Sequence, residues 1–304
     1  MTPGTDHVGR VMGTDASVIV HGNGPGAVRL FERLELLEHR WSRFLAHSEI
    51  TRLNHLAGRV VVVSSDTFDL IAHLIAAHRL TGGRFDPTLL PEISSLGYDR
   101  PFAQLTDDRV IGAAFDHTNH EIGDIELIKS VFGVVMPSHL HLDPGGLGKG
   151  LAADLVAEAA MGDGADGVLV NVGGDIVCRG TAPDGGPWRI AIESADEIER
   201  VIELNDGAVA TSDVAVRSWT VDGDRRHHLL DPATGRPLTR VLKATVVAGS
   251  GWWAEAMTKA AMVSIERHDG WFDHDRAEEL GVSALVTTDS GVLGFGPAEI
   301  GAHV

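Results

Sequence analysis

The sequence is poor in cysteine and has no long apolar run. Cys178 is the single cysteine among 304 residues, so an internal disulfide is excluded, and no Cys/His spacing typical of a zinc site is present. No apolar stretch reaches the roughly 20 residues that a membrane-spanning helix needs. Residues 1–10 carry no basic segment, apolar segment, cleavage site or lipobox of an exported protein. These absences predict a cytoplasmic protein that binds no membrane, with Cys178 as a small buried residue at the end of a strand.

Positive charge is also scarce. The chain has 25 Lys and Arg residues against 43 Asp and Glu residues, which gives a formal net charge of -18. Nucleic acids and anionic membranes bind basic surfaces, so this balance argues against both as partners. We therefore expect proteins and small molecules as partners.

The chain shows no internal repeat, low-complexity tract or flexible linker. Its 43% hydrophobic and 22% charged residues are typical of a folded globular protein. The length allows one large domain or two closely associated ones. We expect a single compact domain over residues 1–304, with two intimate subdomains as the alternative.

Apolar residues recur at helical spacing in three segments and fill several shorter ones. The spacing predicts helices over residues 27–44, 66–80 and 148–161. Long helices together with several β-hairpins indicate an α+β fold. Strands are predicted over residues 167–172, 175–179, 188–193, 208–211 and 242–248, and in a hairpin that joins 284–288 to 291–295.

A glycine-dense loop in residues 142–154 leads directly into the third predicted helix. Its glycines, at positions 145, 146, 148 and 150, let backbone N–H groups approach an anion, and the helix N-terminus near Gly148 adds a positive dipole end. Asp143 and Lys149 lie in the same loop. The loop matches neither the G-x-x-x-x-G-K-[ST] pattern nor the G-x-G-x-x-G pattern. It indicates a phosphate or nucleotide site, and a surface turn before a helix is the alternative.

Further segments accompany this loop along the chain. They read M-G-T at 12–14, W-S-R-F at 41–44, S-E-I-T-R-L-N at 48–54, T-G-G-R-F-D-P-T at 81–88, N-V-G-G-D at 171–175, T-S at 211–212 with Arg217, and H-L-L-D-P-A-T-G-R-P at 228–237. Together with the loop, they make the sequence resemble the FAD:protein FMN transferase family, also called the ApbE family. The resemblance extends from about residue 12 to about residue 292.

The resemblance implies a fold and an activity. The fold would be a T-fold-like flavin transferase architecture, in which helices pack on antiparallel sheets with the nucleotide between them. The activity would move FMN from FAD to a Thr or Ser hydroxyl of an acceptor protein that carries an FMN-binding domain, with release of AMP. Water as the acceptor would give FAD hydrolysis. A protein that binds FAD with weak or no transferase activity is the alternative.

The resemblance also assigns the flavin nucleotide site. The diphosphate would lie against the amides of residues 145–148, with Lys149 as a point charge. Ser95 and Leu96 stand where the family usually has bulkier residues. The full set of implied flavin-binding residues is Met12, Asn54, Phe85, Asp86, Thr88, Ser95, Leu96, Gly97, Asp143, Gly145, Gly146, Lys149 and Leu229.

His228 is the candidate catalytic residue. Histidine titrates near neutral pH and can accept a proton from a hydroxyl group, and His228 opens the H-x-x-D-P-x-T-G-x-P motif of the family. His227 would point away from it in a strand. The segment 211–217 follows the family pattern T-S-G-x-x-x-R, except that Asp213 replaces the glycine. Residues 171–175 are interpreted as a tight turn between two strands rather than as a ligand contact.

A magnesium site is implied by the family, and here the chain departs from the pattern. The family ligand segment typically reads A-D-A-x-x-T, completed by a backbone carbonyl of the glycine loop, whereas this chain reads A-E-A-M-T-K at 254–259. In one arrangement Glu255 and Thr258 hold Mg²⁺ with the Gly146 carbonyl. In another, Lys259 pairs with Glu255 at i,i+4 and its ammonium replaces the metal. A solvated Lys259 is the third alternative.

Overall fold

The computed structural model describes residues 4–105, 122–194 and 197–297, so residues 1–3 of the segment searched for an export signal lie outside it. The helices in the described part are α1 (Ala27–Trp41), α2 (Glu49–His55), α3 (Ser65–Leu80), α4 (Leu90–Ser95), α5 (Gly148–Gly162), α6 (Gly251–Arg267) and α7 (His274–Glu279). The strands are β1 (Thr5–Val11), β2 (Thr14–Gly22), β3 (Val60–Val62), β4 (Glu126–Ile128), β5 (Gly133–Val135), β6 (Ala165–Val172), β7 (Asp175–Gly180), β8 (Trp188–Ser194), β9 (Glu197–Leu204), β10 (Gly207–Asp213), β11 (Ser218–Val221), β12 (Asp224–His227), β13 (Leu230–Asp231), β14 (Arg236–Pro237), β15 (Val241–Ala248), β16 (Ser283–Thr288) and β17 (Gly291–Phe295).

Eight strands form an antiparallel sheet in the order β1-β2-β6-β7-β10-β15-β16-β17. Successive side chains of a strand point to opposite faces, and in β7 Val177 joins the core on the helical side while Cys178 joins the core on the other side. Helices α1, α5 and α6 pack on the first face. Trp188 and Ile190 of the β8–β9 hairpin cover the second. The middle of the sheet is therefore buried on both faces, and Cys178 is a fully buried apolar residue, as expected.

The smaller sheets carry part of the site. Strands β11 and β12 form a hairpin, and β13 pairs with β14, so that residues 218–237 fold as two short ribbons with His228 between them. Strands β3, β5 and β4 form a separate sheet in that order. Helices packed on antiparallel sheets confirm the predicted α+β class.

Most predicted elements are present, with differences at their ends. The helix predicted over 27–44 ends at Trp41, so its C-terminal end was predicted wrongly. Ser42 has extended backbone angles of φ -66 and ψ 122, and the chain turns there so that Arg43 reaches Asp143. Helix α3 starts one residue earlier than predicted, because the Ser64 side chain caps it by accepting from the Thr67 amide at 3.3 Å. None of the described helices combines the length and apolar character that crossing a membrane requires.

Candidate functional site

A cavity of about 490 Å³ lies where the glycine loop, α6 and the segment after α1 meet. Its volume falls in the range of small-molecule sites. One part of its wall is aromatic and apolar, formed by Trp41, Phe44, Phe85, Tyr98, Phe102 and Met262. The other part is polar and carries Arg43, Asp143, Lys149, Arg217, His228 and Lys259. A ligand with a planar ring system and an anionic group matches both parts.

Many of the residues singled out in the sequence lie on this wall. They come from distant segments of the chain, which the fold brings together in one place; their individual roles stay predictions. These wall residues are Met12, Phe85, Asp86, Asp143, Gly145, Gly146, Lys149, His228, Leu229 and Lys259.

Other predicted residues do not line the cavity, and the structure gives them different contacts. The Asn54 amide forms two hydrogen bonds with the Leu142 backbone, of 2.9 Å and 2.8 Å, and so holds the segment that precedes the glycine loop. The Thr88 hydroxyl donates to Asp86 Oδ1 at 2.6 Å and fixes that turn. The residues of this group are Asn54, Thr88, Ser95, Leu96, Gly97, Glu255 and Thr258.

Arg43 links the aromatic part of the wall to the glycine loop. Its Nε lies 3.1 Å from Asp143 Oδ2, and its Nη2 donates to the Tyr98 carbonyl at 2.9 Å. The guanidinium carbon lies 4.2 Å from the Phe44 ring centroid and 4.7 Å from that of Tyr98, within cation–π distance. Arg43 and Tyr98 were not among the predicted site residues, although Arg43 lies in the W-S-R-F segment.

The glycine loop is held in shape by short-range contacts. Asp143 Oδ1 accepts from the Gly145 amide at 2.9 Å. A Cβ on Gly146 would lie 2.7 Å from Phe85 Cε2, so only glycine lets the loop approach that ring. Gly148 and Lys149 begin α5, where an α-helix offers no internal acceptor for their amides, and both line the cavity. The wall therefore presents backbone donors suited to an anion.

Helices α5 and α6 cap each other. They cross so closely that a Cβ on Gly150 would lie 2.2 Å from the Gly251 carbonyl oxygen. Asp154 of α5 accepts from the Gly251 and Trp252 amides of α6, both at 2.9 Å. In return, Glu255 Oε2 of α6 accepts from the Gly150 amide of α5 at 2.8 Å. Neither helix has a capping side chain at its own N-cap residue, so each depends on the other.

Four side chains at this crossing form a lysine–carboxylate cluster: Lys149, Lys259, Asp175 and Glu255. Lys149 Nζ donates to Asp175 and, at 2.9 Å, to Glu255 Oε1. Lys259 Nζ lies 3.4 Å from the same Glu255 oxygen. Asp175 belongs to the N-V-G-G-D turn, which the sequence had suggested was structural, so its ion pair with Lys149 was missed. The cluster sets two lysine side chains against two carboxylates, so its charges balance when all four groups are ionised.

The cluster shifts the ionisation of its members. Burial opposes the charge of Glu255, but Lys149 and Lys259 outweigh it and lower the pKa of Glu255 to about 2. Burial likewise opposes the charge of Lys149, yet Asp175 and Glu255 raise the pKa of that ammonium. Burial lowers the pKa of Lys259. At neutral pH, Glu255 is therefore ionised and Lys149 protonated.

The residues predicted to hold Mg²⁺ do not fit this ion. Both carboxylate oxygens of Glu255 already accept N–H bonds, and its side chain is 1% exposed. The Thr258 hydroxyl donates to the Glu255 carbonyl at 2.7 Å and lies 2.6 Å from Ser212 Oγ, in the interior. Mg²⁺ requires a nearly octahedral set of oxygen ligands. In the described ranges, no group of three His, Cys, Asp or Glu residues could hold a metal.

His228 is a neutral imidazole on the cavity wall. Its Nδ1 lies 3.3 Å from the Arg217 carbonyl oxygen, which only accepts, so Nδ1 carries the hydrogen and Nε2 keeps a lone pair. Burial, with the Arg217 and Lys259 charges, holds the pKa of His228 well below 6.5. His227 points elsewhere, with its Nε2 at 2.9 Å from the Leu238 carbonyl oxygen. His228 can therefore accept a proton at neutral pH.

Arg217 is a cation of the cavity wall whose side chain is tied to a neutral group. Its Nη1 donates to the Tyr98 hydroxyl at 3.2 Å, and it forms no ion pair with any residue that the structure describes. Arg43, by contrast, is paired with Asp143. Arg217 is thus placed to meet an anionic ligand.

Comparisons with known proteins identify the family of this chain. The ApbE family model matches residues 12–278. The chain is 31% identical over 270 residues to an FAD:protein FMN transferase of Vibrio cholerae, which covers 85% of this chain and 78% of the relative. It is 27% identical over 266 residues to a protein of the same name from Haemophilus influenzae, with 84% and 76% of the two chains covered.

Solved structures of ApbE proteins share the fold of this chain. The apo form of Pseudomonas stutzeri flavinyl transferase ApbE superimposes with a TM-score of 0.80 at 26% identity, over 99% of this chain and 98% of the other. The ApbE protein of Thermotoga maritima superimposes with a TM-score of 0.83 at 24% identity, over 96% and 97% of the two chains. By sequence and by fold, this chain belongs to the ApbE family.

Proposed function

We propose that this protein is an FAD:protein FMN transferase, which moves FMN from FAD to a Thr or Ser hydroxyl of an acceptor protein and releases AMP. The names of its relatives support the activity. The observation that carries the proposal is that the neutral His228 shares one cavity wall with the glycine loop and with Arg217, which has no ion pair among the described residues. A proton acceptor, backbone donors and a cation are what this transfer requires.

The two parts of the wall suit the two parts of the nucleotide. The aromatic side chains offer flat apolar surfaces to a flavin ring. The amides of Gly148 and Lys149, together with the Arg217 guanidinium, would bind the diphosphate as hydrogen-bond donors. FAD would thus lie with its reacting phosphorus on the polar side, near His228.

The transfer exchanges the phosphoanhydride bond of FAD for a phosphoester bond to the acceptor. The acceptor hydroxyl oxygen forms a bond to the phosphorus of the FMN half, and the bond from this phosphorus to the bridging oxygen breaks. The electron pair of that bond leaves with AMP, and the hydroxyl proton passes to His228 Nε2. Fixed positions for the hydroxyl and the diphosphate account for much of the expected rate gain.

The acceptor is expected to carry an FMN-binding domain, and water in its place would give FAD hydrolysis. No step is assigned to a divalent cation, because the residues at Glu255 do not fit one. A cytoplasmic location and the absence of nucleic-acid binding stay predictions from the sequence.

His228→Ala tests the proposal, with His227→Ala as the matched control. Loss of the proton acceptor should slow AMP release in the presence of FAD and acceptor by about 100-fold or more, which is the usual contribution of a general base. FAD affinity, measured by flavin fluorescence, should stay within a few-fold, since the base acts on the hydroxyl and not on bound FAD. His227→Ala should keep the wild-type rate.

Two results would count against the proposal. If the His228→Ala variant released AMP at the wild-type rate, His228 would have no role in the reaction. FAD binding by the wild-type protein, with neither AMP release nor FMN transfer to any FMN-binding-domain protein of its own genome, would identify an FAD-binding protein without transferase activity.

A further inference from the structure

The residues around Glu255 depart from the magnesium site that the family resemblance implies. A carboxylate that holds a metal must keep an oxygen open to it. Here Glu255 Oε2 accepts from the Gly150 amide at 2.8 Å, and Oε1 faces two ammonium groups, Lys149 at 2.9 Å and Lys259 at 3.4 Å. Three N–H groups therefore donate hydrogen bonds to the two oxygens of this carboxylate.

Lys259 also has the position of a ligand-facing cation. It lines the cavity, with 17% of its side chain exposed, whereas Glu255 beneath it is 1% exposed and does not line the cavity. Neighbouring Thr258, the nearest hydroxyl in the helix, is fully buried and hydrogen-bonded to Ser212. The charge that α6 presents to the cavity is thus an ammonium.

Electrostatics disfavours adding a dication at this place. The lysine–carboxylate cluster sets two lysine side chains against two carboxylates and carries no net charge when all four are ionised. A divalent ion beside Glu255 would lie within a few ångströms of both ammonium groups and would be repelled by them. It would also have to displace at least one N–H bond from Glu255.

We propose that the Lys259 ammonium takes the place of a divalent cation beside the diphosphate of FAD, so that this protein binds FAD and transfers FMN without Mg²⁺. The inference rests on the proposed function. Lys259 is held by Glu255 on one side and presents its remaining donors to the cavity, where it neutralises diphosphate charge as a point cation. Lys149, which is paired with both carboxylates, acts mainly to hold this arrangement.

Direct metal binding tests the inference without any variant and without activity. Mn²⁺, which takes the same oxygen ligands as Mg²⁺, would be titrated into wild-type protein saturated with FAD and followed by the loss of its free-ion electron paramagnetic resonance signal. We expect no stoichiometric site. One tightly bound Mn²⁺ per chain that Mg²⁺ displaces would overturn the inference.

Lys259→Thr restores a hydroxyl four residues after Glu255, and Lys129→Thr, at an exposed site away from the cavity, is the matched control. Wild-type FAD affinity and AMP release should be equal in EDTA and in Mg²⁺. Lys259→Thr in EDTA should bind FAD on the order of 10-fold more weakly, as expected for loss of a charge-assisted hydrogen bond, and Mg²⁺ should recover part of this loss. Lys129→Thr should behave as wild type.

The outcomes separate the inference from the proposed function. Wild-type FAD binding or AMP release that disappears in EDTA and returns with Mg²⁺ would overturn the inference and leave the transferase intact. FAD affinity that is the same in EDTA and in Mg²⁺, without AMP or FMN formation in either, would support the role of the Lys259 ammonium in FAD binding. It would contradict the proposed transferase activity. If Lys259→Thr does not fold, the Mn²⁺ titration and the EDTA comparison of the wild type decide.

Discussion

Helices α5 and α6 each supply a carboxylate that caps the N-terminus of the other helix, but the two carboxylates have different cations beside them. At one end Asp154 accepts two backbone N–H groups at the start of α6, with Arg179 Nη2 at 3.3 Å from Oδ1. At the other end Glu255 accepts from the Gly150 amide at the start of α5, with two ammonium groups beside it. Both carboxylates are nearly inaccessible to solvent.

The difference lies in the cations and in what they face. Burial raises the pKa of Asp154, whereas the two lysines lower the pKa of Glu255 to about 2. Lys149 and Lys259 line the cavity, but neither Asp154 nor Arg179 does. The cap at Asp154 is therefore purely structural, whereas the cap at Glu255 also fixes two cations of the cavity wall.

Replacing each carboxylate by its amide should have the largest and most unequal effects on stability. Glu255→Gln leaves two buried ammonium groups with one carboxylate and should cost about 3–5 kcal/mol of the free energy of unfolding at neutral pH. Asp154→Asn keeps an oxygen acceptor beside a single cation and should cost about 1–2 kcal/mol, as other N-terminal caps do. Urea denaturation of both variants measures the difference.

The pH dependence of stability provides an internal control for the two amide variants. Because the pKa of Glu255 is lowered from 4.5 to about 2, its stabilisation is present above pH 4.5 and is lost as the pH falls toward 2. This part of the acid dependence amounts to about 3 kcal/mol and should be missing in Glu255→Gln. Equal losses for the two amide variants, or parallel acid curves for wild type and Glu255→Gln, would show that the caps are equivalent.

A smaller effect is expected from the contact that joins the two ends. Gly150→Ala would place a Cβ 2.2 Å from the Gly251 carbonyl oxygen, so the helices must move apart and both caps must lengthen. We expect a loss of about 1–3 kcal/mol, which is typical of overpacking. Gly162→Ala, in the same helix with nothing within 4 Å of the new Cβ, is the control and should change stability by about 1 kcal/mol or less. A tolerated Gly150→Ala would mean that the close crossing is dispensable.

Local patterns in the sequence were enough to predict much of the molecule. Helical spacing located α3 and α5 to within a residue at each end, because a repeating apolar face is a short-range signal. The glycine loop and the motif that begins at His228 were found from adjacent residues, and both lie on the cavity wall. The α+β class followed from the mixture of these elements.

Contacts between distant segments could not be predicted in this way. The Asn54 amide binds a backbone segment 88 residues away, and the Lys149–Glu255 hydrogen bond spans 106 residues. Asp175 looked structural because its turn is glycine-rich, and only the fold places it beside Lys149. Strand register and the crossing of helices determine which distant residues come into contact, and the local composition indicates neither.

The intact mass of an acceptor protein shows whether FMN is transferred without a metal ion. The wild-type protein would be incubated in EDTA with FAD and an FMN-binding-domain protein encoded in the same genome, and the acceptor would be analysed by mass spectrometry before and after protease digestion. We expect a mass gain of one phosphoester-linked FMN on a single Thr or Ser, with an equal amount of AMP, and no gain with His228→Ala. An unmodified acceptor with FAD bound and intact, both in EDTA and in Mg²⁺, would contradict it.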